Sequence, residues 1–278
     1  MNLEFNQLAK QGNLDELKRL YSAYKNEIEV NWENGKQSYH TALHHAANHG
    51  HFDTVQWLLR ETNADIHHED YMGETPIHLA AFQGYSNVVR LLLENGARKN
   101  HQTHVTEDSP LTVAVYSGSA ETVTILLDQG ADASIRNLEG MTAMTRAAEC
   151  DKAQIIDTLL MHPNGVGVND RDDEGMTALM WACRYANKDA ALVLLQHAAD
   201  FALRQLGGMD TALHWIANKD DDEGLVAILL ASGSNLYARN AKEETALMIA
   251  SESRCFDAVN RLLVHESLLH PWVSTVLL

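Results

Sequence analysis

Seven short stretches repeat one order of polar and apolar residues along the chain. They are TALHHAA, TPIHLAA, SPLTVAV, TAMTRAA, TALMWAC, TALHWIA and TALMIAS, opening at Thr41, Thr75, Ser109, Thr142, Thr177, Thr211 and Thr245. The steps between them are 34, 34, 33, 35, 34 and 34 residues. A Thr or Ser at the head accepts a bond from a free backbone N–H and so starts a helix. Pro76 and Pro110 follow two of these caps, where a missing N–H costs nothing. Two places after the cap stands an aliphatic residue: Leu43, Ile77, Leu111, Met144, Leu179, Leu213 or Leu247. Five places after it stands Ala in six units and Ile216 in the other, small enough to admit a neighbouring helix. A second helix follows with paired leucines, as in Leu58–Leu59, Leu92–Leu93 and Leu194–Leu195. A polar stretch then leads to the next cap. Gly73, Gly140 and Gly175 lie two residues before a Thr, which suits a turn.

Two helices per repeat cannot bury their own apolar faces, so each unit must stack on the next. The period and the motif GETPIHLAAFQGYSNVVRLLLENGA (residues 73–97) resemble the ankyrin repeat family, over residues 4 to 263. The resemblance implies an all-α solenoid of about eight helix-turn-helix units, with finger-like hairpin loops and a concave face made by fingers and inner helices. It implies one repeat domain over residues 1–265: an irregular capping unit (1–37, around LAKQGNLDELKRL) and seven repeats from Thr41 to about 265. It also places on the concave face the two residues after the second Ala of each inner helix. These pairs include Asn48–His49, Phe82–Gln83, Tyr116–Ser117, Arg184–Tyr185 and Asn218–Lys219. With the finger residues Tyr71 and Met72, the candidate partner contacts are Phe82, Tyr116, Arg184, Tyr185, His49, Tyr71, Met72 and Lys219. Aromatic residues and Arg recur at interface hot spots because they bury much area and keep a polar tip. Tyr39, Met141, Met176 and Met209 are expected to add apolar reach to the fingers. Trp181 and Trp215 share a repeat position and are expected to pack on one another.

The second half departs from the motif. Its His survives as His44, His78 and His214, and the Gly nine places after the cap as Gly50, Gly84 and Gly118; Asp151, Ala186, Asp220 and Arg254 replace that Gly. The second half is therefore expected to be the softer one. The stretch MHPNGVGVNDRDDEG reads as a long polar loop. The apolar tail 266–278 is expected to fold back as a cap; docking on something else, or continuation of the chain, are the alternatives.

With 21 Lys and Arg against 38 Asp and Glu, the net charge is −17. Such a surface repels nucleic acid and acidic membrane, and favours a partner protein with basic patches. At 45% hydrophobic residues the chain is not a disordered one, and no apolar run is long enough to span a membrane. The polar start is no signal peptide. Three separated cysteines (150, 183, 255) suggest a reducing compartment, the cytoplasm.

Candidate chemistry is thin. His40, His44, His45, His49 and His51 fall within twelve residues with i, i+4 spacings, but His44 and His51 stand where the family keeps a His bonded to backbone, and the other three share no obvious face. Neither Cys150 nor Cys183 has a nucleophile motif around it, and GVGV (165–168) has no phosphate-cradling spacing. The acidic runs at 170–174 and 220–223 read as a solvated loop and a helix start. No metal, cofactor or catalytic group is expected. The functional expectation is a monomeric, non-catalytic module that binds a partner protein on its concave face. The alternative is a targeting or regulatory module of a larger enzyme, or of a bacterial effector secreted into a host cell's cytosol.

Overall fold

A computed structural model describes residues 1–33, 39–219 and 224–269. Among them every regular element is a helix, and one isolated antiparallel bridge joins Arg171 to Thr177. The helices come in pairs: α1 Asn2–Gln11 and α2 Leu14–Tyr24; α3 Ala42–Asn48 and α4 Phe52–Glu61; α5 Pro76–Gln83 and α6 Ser86–Glu94; α7 Pro110–Ser117 and α8 Ala120–Asp128. The series continues with α9 Ala143–Glu149 and α10 Ala153–Met161; α11 Ala178–Arg184 and α12 Lys188–Gln196; α13 Ala212–Ala217 and α14 Leu225–Ala231; α15 Ala246–Glu252 and α16 Phe256–Leu269. Eight pairs match the expected count.

The chain divides into two compact units. The first holds residues 1–143 and 161–165, the second residues 144–160 and 166–278. In the first, the inner helices α1, α3, α5 and α7 pack one on the next, as do the outer helices α4, α6 and α8. In the second, α11, α13 and α15 form the same row, with α14 against α16 outside it. The motif alanines make this possible: Ala46, Ala80 and Ala114 in the first unit, and Ala182 and Ala250 in the second, are fully buried, so helix backbones approach closely. The motif aliphatics Leu43, Ile77, Leu111, Leu179 and Leu213 are buried beside them.

The caps do more than start helices. Thr75 N–H donates to His78 Nδ1 at 3.2 Å, and the Thr75 hydroxyl lies 2.9 Å from the same nitrogen. Thr41–His44 and Thr211–His214 repeat this box. Because Nδ1 accepts, the ring proton sits on Nε2, which donates to a carbonyl of the next finger: His44 to Glu74 at 3.2 Å, His78 to His101 at 3.0 Å, His214 to Ala238 at 3.1 Å. One side chain thus caps its own helix and ties its unit to the neighbour.

The turn two residues before each cap is left-handed throughout the described fingers. Gly73, Gly140 and Gly175 adopt φ of 81°, 74° and 76°, while Tyr39, Glu107, Met209 and Glu243 hold φ between 54° and 61° at the same place. The turn from inner to outer helix needs the same geometry. Gly50, Gly84 and Gly118 supply it in the first unit (φ 70°, 77° and 72°), and Asp151, Ala186 and Arg254 in the second (φ 52°, 57° and 59°).

Candidate functional site

The candidate contacts fall on both units. In the first, Phe82 and Tyr116 end α5 and α7, one repeat apart, with ring centroids 6.0 Å apart at 45°. They are 48% and 37% exposed, although both stand on helices whose other faces are buried. Gln83 at the end of α5 donates to Asn48 Oδ1 at 3.1 Å, so neighbouring inner helices also touch through polar groups. His49 caps α3 with Nδ1–H donating to the His45 carbonyl at 2.9 Å, and its ring stacks on His51 5.9 Å away. Tyr71 and Met72 occupy the next finger tip. Tyr71 is 57% exposed, while Met72 is tied by its N–H to Asp70 Oδ1 and by its carbonyl to His104 N–H.

In the second unit Arg184, Tyr185 and Lys219 lie at the ends of α11 and α13, and Tyr185 and Lys219 are exposed. The expected packing of Trp181 on Trp215 takes another form. The Arg184 guanidinium bridges them, 4.9 Å from the Trp181 ring centre and 5.1 Å from that of Trp215. Tyr185 stacks on Trp181, centroids 6.0 Å apart at 10°. Burial, then the charge of Glu149 and a hydrogen bond to it, push the Tyr185 phenol above its usual range, so it stays a neutral donor.

Two finger residues do not reach outward. Met141 and Met176 are buried, because the chain after the finger turn folds them under the following cap. Tyr39 and Met209 are exposed as expected. The acidic run at 170–174 is solvated only in part. Asp172 is buried, accepts from Met176 N–H at 2.8 Å and takes the Trp181 indole N–H, so it organises the finger turn. The run at 220–223 and the tail from residue 270 lie outside the described residues. Helix α16 continues to Leu269, past the expected start of the tail.

The histidines gather more closely than their spacing suggested. His40 precedes α3 and folds over it, its ring stacked on His44 at 5.4 Å and edge-on to His45 at 5.3 Å. Its Nε2 meets Asp70 Oδ2 at 3.1 Å. Burial, reinforced by the charge of His40, holds His44 down to about 3, and the same two causes hold His45 to about 4. Burial likewise holds His78 to about 4. Among the described residues no group of three or more His, Cys, Asp or Glu is arranged to hold a metal. Cys183 and Cys255 are buried, and burial raises the thiol of the half-buried Cys150, the reverse of an activated nucleophile.

Sequence reading missed two features of the second unit. A cavity of about 420 Å³ is lined by Asp210, Trp215, Lys242, Glu244, Ile249 and Glu252, among others. Asn240 Nδ2 donates to both Asp210 Oδ1 (3.0 Å) and Glu244 Oε2 (3.1 Å) at its edge. An apolar groove of about 380 Å³ runs between α14 and α16, lined by Ala227, Ala231, Val264 and Leu268. The cavity joins residues of three segments, which no single motif exposes.

Comparison with known proteins agrees with this geometry. The family model described as ankyrin repeats (3 copies) matches residues 5–103 and 111–205. This chain belongs to the ankyrin repeat family. Human neurogenic locus notch homolog protein 1 is 33% identical over 121 residues, covering 43% of this chain and 5% of that protein. The mouse protein is 33% identical over 120 residues and that of Xenopus laevis 31% over 121, with the same coverage. The match therefore spans about a twentieth of these relatives' length. Among solved structures, the human ASB11 ankyrin repeat domain aligns with a TM-score of 0.72 and 28% identity, over 81% of this chain and 98% of that one.

Proposed function

We propose that this chain is a non-catalytic capture module, in which the exposed ends of the inner helices and the finger tips grip a partner protein. Ankyrin repeats generally serve protein–protein interaction. The family resemblance sets these same residues on a concave face. The observation that carries the reading is the Phe82–Tyr116 pair: two aromatic rings, half-exposed and in mutual contact, at a repeat position that Asn48, Glu149, Asn218 and Glu252 fill with polar side chains in other units. In the second unit Arg184, Tyr185 and Lys219 extend the same repeat positions. Helices fixed by buried caps lose little freedom on binding, which favours affinity. The net charge of −17 steers in a partner with basic patches. The module works as a monomer in a reducing cytoplasm, either its own or, for a secreted effector, that of a host. The free state of Cys150, Cys183 and Cys255 supports that setting.

The test compares wild type with Phe82→Ala/Tyr116→Ala in affinity capture followed by titration of the captured protein. The double variant should retain its melting temperature and lose the partner, and association should slow as salt rises. Equal capture by both proteins would defeat the reading. A second reading, a regulatory module within a larger protein, is favoured by one finding: the curated relatives carry the matching repeats as a twentieth of their length.

A further inference from the structure

Arg184 has an unusual setting for a cation in so acidic a chain. Its guanidinium carbon lies 4.9 Å from the centre of the Trp181 ring and 5.1 Å from that of Trp215, contacts that restrain the side chain without using its N–H donors. Among the described residues no hydrogen bond or ion pair engages those donors. The nearby acids are occupied. Glu149 pairs with Arg146 and accepts from the Tyr185 phenol, and Asp172 accepts from the Trp181 indole and from Met176 N–H. Arg184 as a whole is only half-buried, which leaves the side chain open to a ligand.

We infer that Arg184, restrained by its contacts with Trp181 and Trp215, is a preformed receptor for a carboxylate carried by the partner protein. This rests on the capture reading above and names the chemistry of one contact within it. The physical case is preorganisation. An ordinary surface Arg loses rotamer freedom when it pairs, whereas this one is already held in place. The planar edge of a guanidinium matches the two oxygens of a carboxylate through parallel N–H···O bonds. A phosphate, with nearly twice the charge, meets more repulsion from Glu149 and from the chain's excess of acid. Beyond Trp215, toward α15, the cavity presents Asp210, Glu244 and Glu252, which no cation pairs among the described residues. With those three acids against Lys242 on the lining, an acidic group is disfavoured there, which leaves Arg184 to take the partner carboxylate.

The test uses the whole chain and sodium acetate, with sodium chloride holding ionic strength constant. Tryptophan emission and the arginine Nε–H resonances in ¹⁵N NMR are followed. Acetate should shift both signals saturably, where chloride alone does not. Arg184→Lys keeps the charge but lacks the planar fork, and should bind acetate about tenfold more weakly. Arg184→Gln should show no response. Thermal melts of both variants establish that they are folded. No acetate response beyond chloride would overturn the proposal, as would equal binding by Arg184→Lys, or inorganic phosphate binding more tightly than acetate. The titration contains no partner, so its failure leaves the capture reading standing. Loss of capture in the Phe82/Tyr116 variant, with acetate binding intact, bears on capture alone.

Discussion

The two units solve one problem with different residues. In the first, His44 and His78 carry the link between neighbouring units: each caps its helix through Nδ1 and donates through Nε2 to the next finger. In the second, His214 keeps that link, but Met180 and Met248 stand where the His would be at two other caps, and Thr177 and Thr245 keep only the simple cap. Arginines of the fingers add links of another kind. Arg171 Nη1 donates to the Arg204 carbonyl, and Arg204 Nη1 to the Arg239 carbonyl, each at 2.7 Å. The inner-to-outer turn differs as well, with Gly in the first unit and strained non-Gly residues in the second. A buried neutral imidazole gives a link that acid can break. A guanidinium gives one that acid cannot break, but that solvent reaches. The motif is therefore one solution of the stacking problem, and it carries a pH liability that the second unit largely sheds.

Acid should separate the units most strongly. Free imidazoles take a proton near pH 6.5, whereas His44 waits until about 3 and His78 until about 4. Between those values the unfolded chain binds more protons. Their stabilisation is thus complete above pH 6.5 and falls as the pH drops toward 4. Each should lose about 2 kcal/mol between pH 7 and 5, about 4 kcal/mol for the pair. Urea unfolding at the two pH values measures their loss together with that of His45 and His214, whose imidazoles burial also holds low. Hydrogen exchange corrected for intrinsic rate should show the loss concentrated in the first unit; equal loss in both units would break the comparison.

The turns should respond in opposite directions. A Cβ on Gly73 would come within 2.6 Å of the His104 backbone nitrogen, at a φ of 81°. Gly73→Ala should therefore cost about 2–4 kcal/mol in denaturant melts. Ala186 holds φ 57° with a side chain already present, so Ala186→Gly removes strain. It should be neutral or stabilise by up to about 1 kcal/mol. Destabilisation by Ala186→Gly would show that the second unit is not strained at its turns. At pH 7 the second unit should still exchange its amides faster than the first, since its turns are strained and two of its caps are simpler.

The arginine links should have a smaller effect than acid or Gly73→Ala. Arg204→Gln removes one half-exposed bond to the Arg239 carbonyl and should cost about 0.5–1.5 kcal/mol, unchanged between pH 7 and 5. A pH-dependent cost would mean that titrating groups, rather than the guanidinium, carry the finger links of the second unit.

Much of this was written in the chain. Spacing located the inner-helix caps from Thr41 to Thr245, and the Ala five places on located the close helix approaches of six repeats, because both depend on residues near each other in sequence. The candidate contacts were located only as positions. That Phe82 and Tyr116 touch follows from the repeat, but that Met141 and Met176 turn inward does not, since a left-handed finger turn sets the direction of the next side chain. The gathering of His40 onto His44 and His45 was hidden for the same reason: His40 lies before the helix, outside any helical period.

The sequence by itself determined the number of units, the helix starts, the excess of negative charge and the loss of the motif His from most caps of the second half. These are local or additive properties, and one period along the chain is enough to read them. Only the tertiary structure decided that Arg184 lies across two indoles instead of pairing with an acid, and that Asp210, Glu244, Glu252 and Trp215 enclose one cavity. Those arrangements depend on where side chains from successive units meet, and that is fixed by how neighbouring helices and fingers pack, a distance that no pattern within one repeat encodes.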